Sequence, residues 1–271
     1  MPTIVSVHSF RGGTGKSNCT ANLASLCALQ GQRVGIVDTD LQSPGVHVLF
    51  GIDETTVHHC LNGFLWGTCR IDEAAVDVTR LLIDEAADPP ATPQRGRLWL
   101  VPSSIRSDEI GRVLRDGYDV GRLNDGFREL MASLALDLLF IDTHPGVNEE
   151  TLLSLAISDL LVLIMRPDAQ DYQGTAVTLE LARRLEVPEI LLTINKVPPS
   201  LDALTLRAEV ARTFGVEVAG VLPLNLEMVE VASGGVFVMR HPRHAFTREL
   251  RVIADRILGR ARSEEPTRVP A

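Results

Sequence analysis

Seven short apolar runs punctuate the chain: Thr3–Val7, Arg33–Val37, Leu98–Val101, Leu138–Ile141, Leu160–Met165, Ile190–Ile194 and Val216–Leu222. They lack polar alternation, the pattern of strands covered on both faces. Between them, helical periodicity predicts helices over Lys16–Gln30, Val120–Ala135, Glu149–Ile157, Ala169–Leu185 and Leu201–Phe214, with Gly31 and Gly215 as stop signals. The alternation predicts an α/β fold: a single doubly wound, mainly parallel seven-stranded sheet with helices on both faces. Phe246, Leu250, Ile253, Ile257 and Leu258 form a last helical stripe able to dock on the core. Two stretches break the rhythm. Residues 53–80 carry short helix-like pieces around Leu61–Trp66 and Ile71–Val76, and residues 84–97 are polar, Pro-rich and loop-like. Together they read as an insertion around 53–97 in one domain spanning 1–262, followed by a short flexible tail at 263–271.

Composition narrows the class. With 271 residues, 45% apolar and 23% charged, the chain can bury a sizeable core, which excludes disordered and fibrous architectures. The net charge of −9 means that sequence-blind nucleic-acid binding would need a local patch. Cys19, Cys27, Cys60 and Cys69 form no CxxC pair, the N-terminal stretch lacks the features of a secretory signal, and no run approaches 18 uncharged apolar residues. The expectation is a soluble protein in a reducing, cytoplasmic setting. His58, His59, Cys60 and Cys69 invite a metal reading, but their spacing matches no zinc pattern.

The chemistry gathers at strand ends. FRGGTGKSN, residues 10–18, follows the first strand and opens the first helix. Gly12, Gly13 and Gly15 let backbone N–H groups close around phosphate oxygens at a helix N-terminus, Lys16 would reach the β/γ-phosphates, and the Ser17 hydroxyl would join Mg²⁺. Asp142 ends the run LLFI and is suited to a metal's water shell; Asp38 and Asp40 end VGIV one residue apart. NKV at 195–197 begins like a guanine-reading motif, but Pro198 stands where its carboxylate would be, which favours adenine.

The loop departs from the usual P-loop, because Phe10 takes the first glycine's position. RGGTGKS instead resembles the deviant Walker A motif, K-G-G-x-G-K-[ST], of the ParA/MinD family of P-loop ATPases. VGIVDTDLQSPG (34–45) is similar to that family's switch I, LLFIDTHPG (138–146) to its Walker B and switch II, ILLTINKVP (190–198) to its base-contacting segment and GVLPLNLEM (220–228) to its base loop. The resemblance spans residues 3 to about 258. It implies ATP and Mg²⁺ as cofactors, with Gly12, Gly13, Thr14, Gly15, Lys16, Ser17 and Asn18 cradling phosphate. It further implies Asn195, Lys196 and Pro223 around adenine, and Ser17, Asp38 and Asp142 at the metal. Asp40 would orient the attacking water, alongside Lys16 and Arg11 in catalysis. Arg11 occupies the position of the family's signature lysine, which reaches across a dimer to the partner's phosphates; a guanidinium keeps the charge but not the shape.

Function follows as an expectation: a Mg²⁺-dependent ATP-binding switch that hydrolyses slowly, forms a homodimer on ATP, and positions or regulates an unidentified partner complex or cargo. Two other readings stay open, a nickel-type metal-insertion ATPase and a nucleotide-binding regulatory module without turnover. From Arg240 to Arg262, seven arginines face only Glu249 and Asp255, a net of +5. This is either a non-specific DNA-contacting face or a solvated helix face. The tail SEEPTRVPA gives no support for a membrane anchor. RPDAQDYQG (166–174) is either a partner-sensing loop or ordinary capping chemistry. His144, inside the switch II segment, either senses the γ-phosphate or has no catalytic role.

Overall fold

The computed structural model describes residues 2–53, 57–82, 96–231 and 234–263, with side chains to residue 261. In chain order the elements are β1 (Thr3–His8), α1 (Lys16–Leu29), β2 (Arg33–Asp38), α2 (Val46–Leu49), α3 (Leu61–Leu65), β3 (Val76–Asp77) and, after a 3₁₀ turn at Thr79–Leu82, β4 (Arg97–Val101). There follow α4 (Ser107–Asp116), α5 (Val120–Ser133), β5 (Leu138–Asp142), α6 (Glu149–Ala156), β6 (Leu160–Met165), α7 (Ala169–Arg184) and β7 (Glu189–Val197). The chain continues with α8 (Ala203–Phe214), β8 (Glu217–Pro223), α9 (Leu226–Glu230), α10 (Phe237–Arg240) and α11 (Ala245–Ser263).

One sheet carries eight strands in the order β3-β4-β2-β5-β1-β6-β7-β8. The expected seven are all there and mutually parallel. The eighth, β3, pairs antiparallel with β4 through Val76–Leu100 and Asp77–Trp99. A two-residue edge strand has too little length for any periodicity, so Ile71–Val76 read as helical. In place of that helix, Ile71 and Ala74 are buried in an irregular turn leading into β3. Helix α4 was likewise missed: its apolar stripe is only Ile110, Val113 and Leu114, interrupted by Gly111, and of these Val113 alone is buried. The Pro-rich stretch lies, for 83–95, outside the described residues, as does the tail from 264 onward.

The continuous apolar runs are explained by two-sided burial. Leu138 and Phe140 of β5 enter one core with α1 and α11, while Leu139 and Ile141 enter another with α3 and α5. On the far half of the sheet, Leu161, Leu163, Leu192 and Ile194 meet α7 and α8. The last helical stripe docks as expected: Phe246, Leu250, Ile253, Ile257 and Leu258 are all buried. Gly31 (φ 92°) and Gly215 (φ 63°) take the left-handed conformation that ends α1 and α8. Among the described residues, no helix is long and apolar enough to cross a membrane.

Candidate functional site

The central strands deliver their ends to one edge. In the sheet register Val7 lies beside Asp142, and Asp142 beside Asp38. The chain leaving β1 therefore turns into α1 directly above two buried carboxylates. Chain order reverses around β1, which sits between β5 and β6; such switch points form the ligand crevice of open α/β sheets.

The loop over 10–17 is held open by its glycines and braced from outside. Gly13 (φ 78°) and Gly15 (φ 94°) are left-handed, and a Cβ on Gly15 would lie 2.5 Å from Asn195 Nδ2. The Asn195 amide donates to the Thr14 carbonyl (2.8 Å), and Lys196 Nζ donates to the Gly13 carbonyl (2.7 Å). Two of the three residues expected at adenine, Asn195 and Lys196, thus brace the phosphate loop. They also line, with Gly15, Asn18, Pro223 and Phe246, a cavity of about 280 Å³ beside it. Phe10 fills the place of the missing first glycine because its ring packs over Gly174 of α7, where any Cβ would collide. Gly12 faces Pro145 at the start of the 145–148 turn, and Gly146 N–H donates to the Ser9 carbonyl.

Lys16, Ser17 and Asp142 form a compact group. Lys16 Nζ is 2.8 Å from Asp142 Oδ1, and the Ser17 hydroxyl donates to Oδ2 at 2.7 Å. Thr20, one helical turn after Lys16, donates to Oδ1 at 2.8 Å. The i, i+4 spacing makes Thr20 legible in hindsight, but its partner 122 residues away was not. Asp38 is fully buried and accepts from the Asp40, Gly45 and Val46 amides, while the Ser103 hydroxyl caps its carbonyl. Burial, then the neighbouring Asp142, push the Asp38 pKa well above the usual carboxylate range; Lys16 and the amides of Val46 and Asp40 act against this. Two adjacent buried carboxylates with one ammonium on Asp142 are short of positive charge. Together with the Ser17 hydroxyl, they are the hard oxygen set that suits a hydrated Mg²⁺.

Asp40 is held by Ser43, through both its amide (3.0 Å) and hydroxyl (3.1 Å), and by His144 Nδ1 at 2.7 Å. Arg11 turns onto its own chain, with Nη1 3.6 Å from Asp168, Nε 3.4 Å from Asp171 and a hydrogen bond to Gln170. Arg166 binds the same two carboxylates from the other side. Asp168 also caps α7 through the Asp171 amide, so the 166–174 loop combines capping with capture of Arg11. Spacing alone had not joined Arg11 to that loop, because the two are 159 residues apart.

The other candidates lie elsewhere. Among the described residues no group of three or more His, Cys, Asp or Glu side chains is arranged to hold a metal ion. Cys60 faces Glu109, and Cys69 faces the Cys60 carbonyl, each at 3.9 Å. In the basic segment, Arg256 is paired with Glu217, and Arg260 with Glu217 (2.8 Å) and Glu189 (3.3 Å). Arg248 bonds the Arg243 carbonyl, and the side chain of Arg262 lies outside the described set. These strand acids, far away in sequence, neutralise part of the charge that local counting assigned to a free face.

Residues 5–236 match the CobQ/CobB/MinD/ParA nucleotide binding domain. The chain belongs to that family. The MinD septum site-determining protein of Bacillus subtilis is 22% identical over 96% of this chain and 90% of its own length. An iron-sulfur cluster carrier protein of Methanocaldococcus jannaschii is 23% identical over 84% of this chain and 74% of its own. Among solved structures, Pyrococcus horikoshii MinD complexed with Mg-ADP superposes with a TM-score of 0.75 at 19% identity, covering 95% of this chain and 96% of that one. As a CobQ/CobB/MinD/ParA member, the chain shares the family's P-loop ATPase fold, and nucleotide with magnesium is bound within the family.

His8, the last residue of β1, is fully buried beneath this site, with Nδ1 on the Thr143 hydroxyl at 2.7 Å. Burial, then Lys16 and His144, lower its pKa from 6.5 to about 3. The folded chain therefore refuses a proton that the unfolded chain takes up below pH 6.5, so His8 removes stability as pH falls from there toward 3. Between pH 8 and pH 5 the wild type is expected to lose about 2 kcal/mol more than His8→Asn. Denaturant midpoints across that range check it; parallel acid slopes would refute the assignment. Asp38 works in the opposite direction, gaining stability as pH falls, and is common to both proteins.

Proposed function

We propose that this protein is a Mg²⁺-dependent ATP-binding switch that hydrolyses ATP slowly, dimerises around the nucleotide, and thereby positions or regulates a partner complex or cargo. The observation that carries this reading is the convergence of Lys16, Ser17, Asp38 and Asp142 under a glycine loop at a helix N-terminus, with Asp40 beside it. One α/β domain over 1–262, with its insertion around 53–97, forms the unit.

The proposed steps use the chain's own groups. The backbone N–H groups of Gly12–Ser17 and the α1 dipole bind phosphate. Lys16 exchanges Asp142 for the β/γ-phosphates, and Ser17, Asp38 and Asp142 hold the Mg²⁺ and its water shell. Mg²⁺ held by these groups would neutralise charge building on the phosphates. Asp40 orients the attacking water. Adenine occupies the cavity walled by Asn18, Asn195, Lys196 and Pro223, where no carboxylate follows Lys196 to select guanine. Arg11 leaves Asp168 and Asp171 to reach the partner's nucleotide, and Arg166 stays to neutralise those acids.

Gel filtration tests the reading. Mg-ATP is expected to move the protein to dimer size, and ADP or no nucleotide is not. Arg11→Lys should keep the shift and Arg11→Ala should lose it. Absence of ATP binding, or an elution volume indifferent to nucleotide, overturns the switch. The metal-insertion reading is not favoured, because the described part of the His58–Cys69 segment gathers no ligand set. The module without turnover fails once phosphate release is measured.

A further inference from the structure

The switch I and switch II segments leave neighbouring strands, β2 and β5; beside the Thr39 amide and hydroxyl, which both donate to the Asp142 carbonyl, one bond among the described residues joins side chain to side chain. His144 Nδ1 lies 2.7 Å from Asp40 Oδ1. A carboxylate only accepts, so Nδ1 carries the proton and donates. The same Oδ1 accepts from the Ser43 amide at 3.0 Å and the Ser43 hydroxyl at 3.1 Å. Among the described residues Oδ2 has the Ser43 hydroxyl alone, at 3.2 Å, and one hydroxyl proton serves one oxygen at a time. Asp40 is thus saturated on one oxygen and available on the other.

The backbone at His144 is itself held in place. Its carbonyl accepts from the Thr151 hydroxyl in the first turn of α6 (3.2 Å). The preceding Thr143 donates to the Val7 carbonyl (3.0 Å) and contacts His8. The backbone that carries the ring is thus tied to β1 and α6, two elements that do not carry Asp40. Glu150 of α6 also lies within electrostatic range of both His144 and Asp40.

We propose that His144 is a positioning residue for hydrolysis: by holding Asp40 Oδ1, it presents Oδ2 to the attacking water. The inference rests on the reading of Asp40 as the water-orienting group. Its own content is that switch II sets the angle of the switch I carboxylate. Losing the bond leaves Asp40 on Ser43 alone, whose hydroxyl lies within reach of both oxygens and does not by itself fix which one faces the water.

The test measures phosphate release at saturating Mg-ATP and, separately, affinity for a fluorescent ATP analogue. His144→Ala is expected to lower kcat about 10- to 100-fold, the worth of one hydrogen bond to a charged group, with affinity unchanged within about twofold. His144→Asn, whose amide overlays Nδ1, should recover turnover to within about threefold of wild type. Adding His144→Ala to Asp40→Asn should change kcat by less than about twofold, because both act through one carboxylate. An unchanged or faster His144→Ala enzyme, an Asn variant as slow as Ala, or full additivity with Asp40→Asn each overturn the inference. A wild type that binds ATP and releases no phosphate overturns the hydrolysis reading instead, so the two failures are distinguishable.

Discussion

Lys16→Ala is expected to abolish detectable binding of Mg-ATP, lowering affinity by at least about a hundredfold. A compact ammonium lies at the mouth of the phosphate loop, 2.8 Å from Asp142 and almost wholly buried. Two charge-assisted bonds to phosphate are worth about 3 kcal/mol or more in such a setting. The same deletion leaves Asp142 buried with only the Ser17 and Thr20 hydroxyls, so the free protein should also lose about 3 kcal/mol of stability. Ligand-shifted melting separates the two effects. The wild type should gain melting temperature with Mg-ATP, and Lys16→Ala should start lower and gain nothing. Lys16→Arg should not rescue, because the planar fork cannot occupy the space of an ammonium between Ser17 and Asp142. A nucleotide-dependent rise in the Ala variant would remove Lys16 from the phosphate site.

Asp40→Asn is expected to lower turnover by about 10² to 10⁴ while leaving ATP affinity within about threefold. The amide preserves volume and one acceptor toward Ser43, but it cannot present a charged acceptor on both oxygens. Asp38→Asn is the contrasting variant. Asp38 touches the Gly45 and Val46 amides and borders Asp142, so its loss should reduce Mg²⁺-dependent binding itself. Phosphate release set against nucleotide titration resolves the pair. If Asp40→Asn hydrolyses at the wild-type rate, the water-orienting role belongs to another group.

The two experiments turn on residues that the sequence picks out, but their partners were hidden to different degrees. Lys16, Ser17 and Asp142 are legible as strand-end and loop chemistry, because a glycine-rich turn between an apolar run and a helix has few other uses. Thr20 was a readable neighbour of Lys16 with an unreadable target. Ser43 lay three residues from Asp40, within reach of a turn. His144 and Asp40 are 104 residues apart, and only the adjacency of β2 and β5 makes them one unit. Asn195 and Lys196 were read toward the base, whereas their side chains also brace the loop from the far side of the sheet.

By itself the sequence determined the alternation of seven buried strands with helices, the edge at which the chemistry sits, and the identity of the phosphate loop. All of these depend on local period, on glycine's access to positive φ, and on acids standing at strand ends. The tertiary structure alone decided the eighth, antiparallel strand, the capture of Arg11 by Asp168 and Asp171, the neutralisation of Arg256 and Arg260 by Glu217 and Glu189, and the His144–Asp40 bond. Each of these joins groups through strand order or helix docking rather than spacing along the chain. Charge and hydrogen bonding act through distances of a few ångströms, and those distances exist only once the sheet has set its strands side by side.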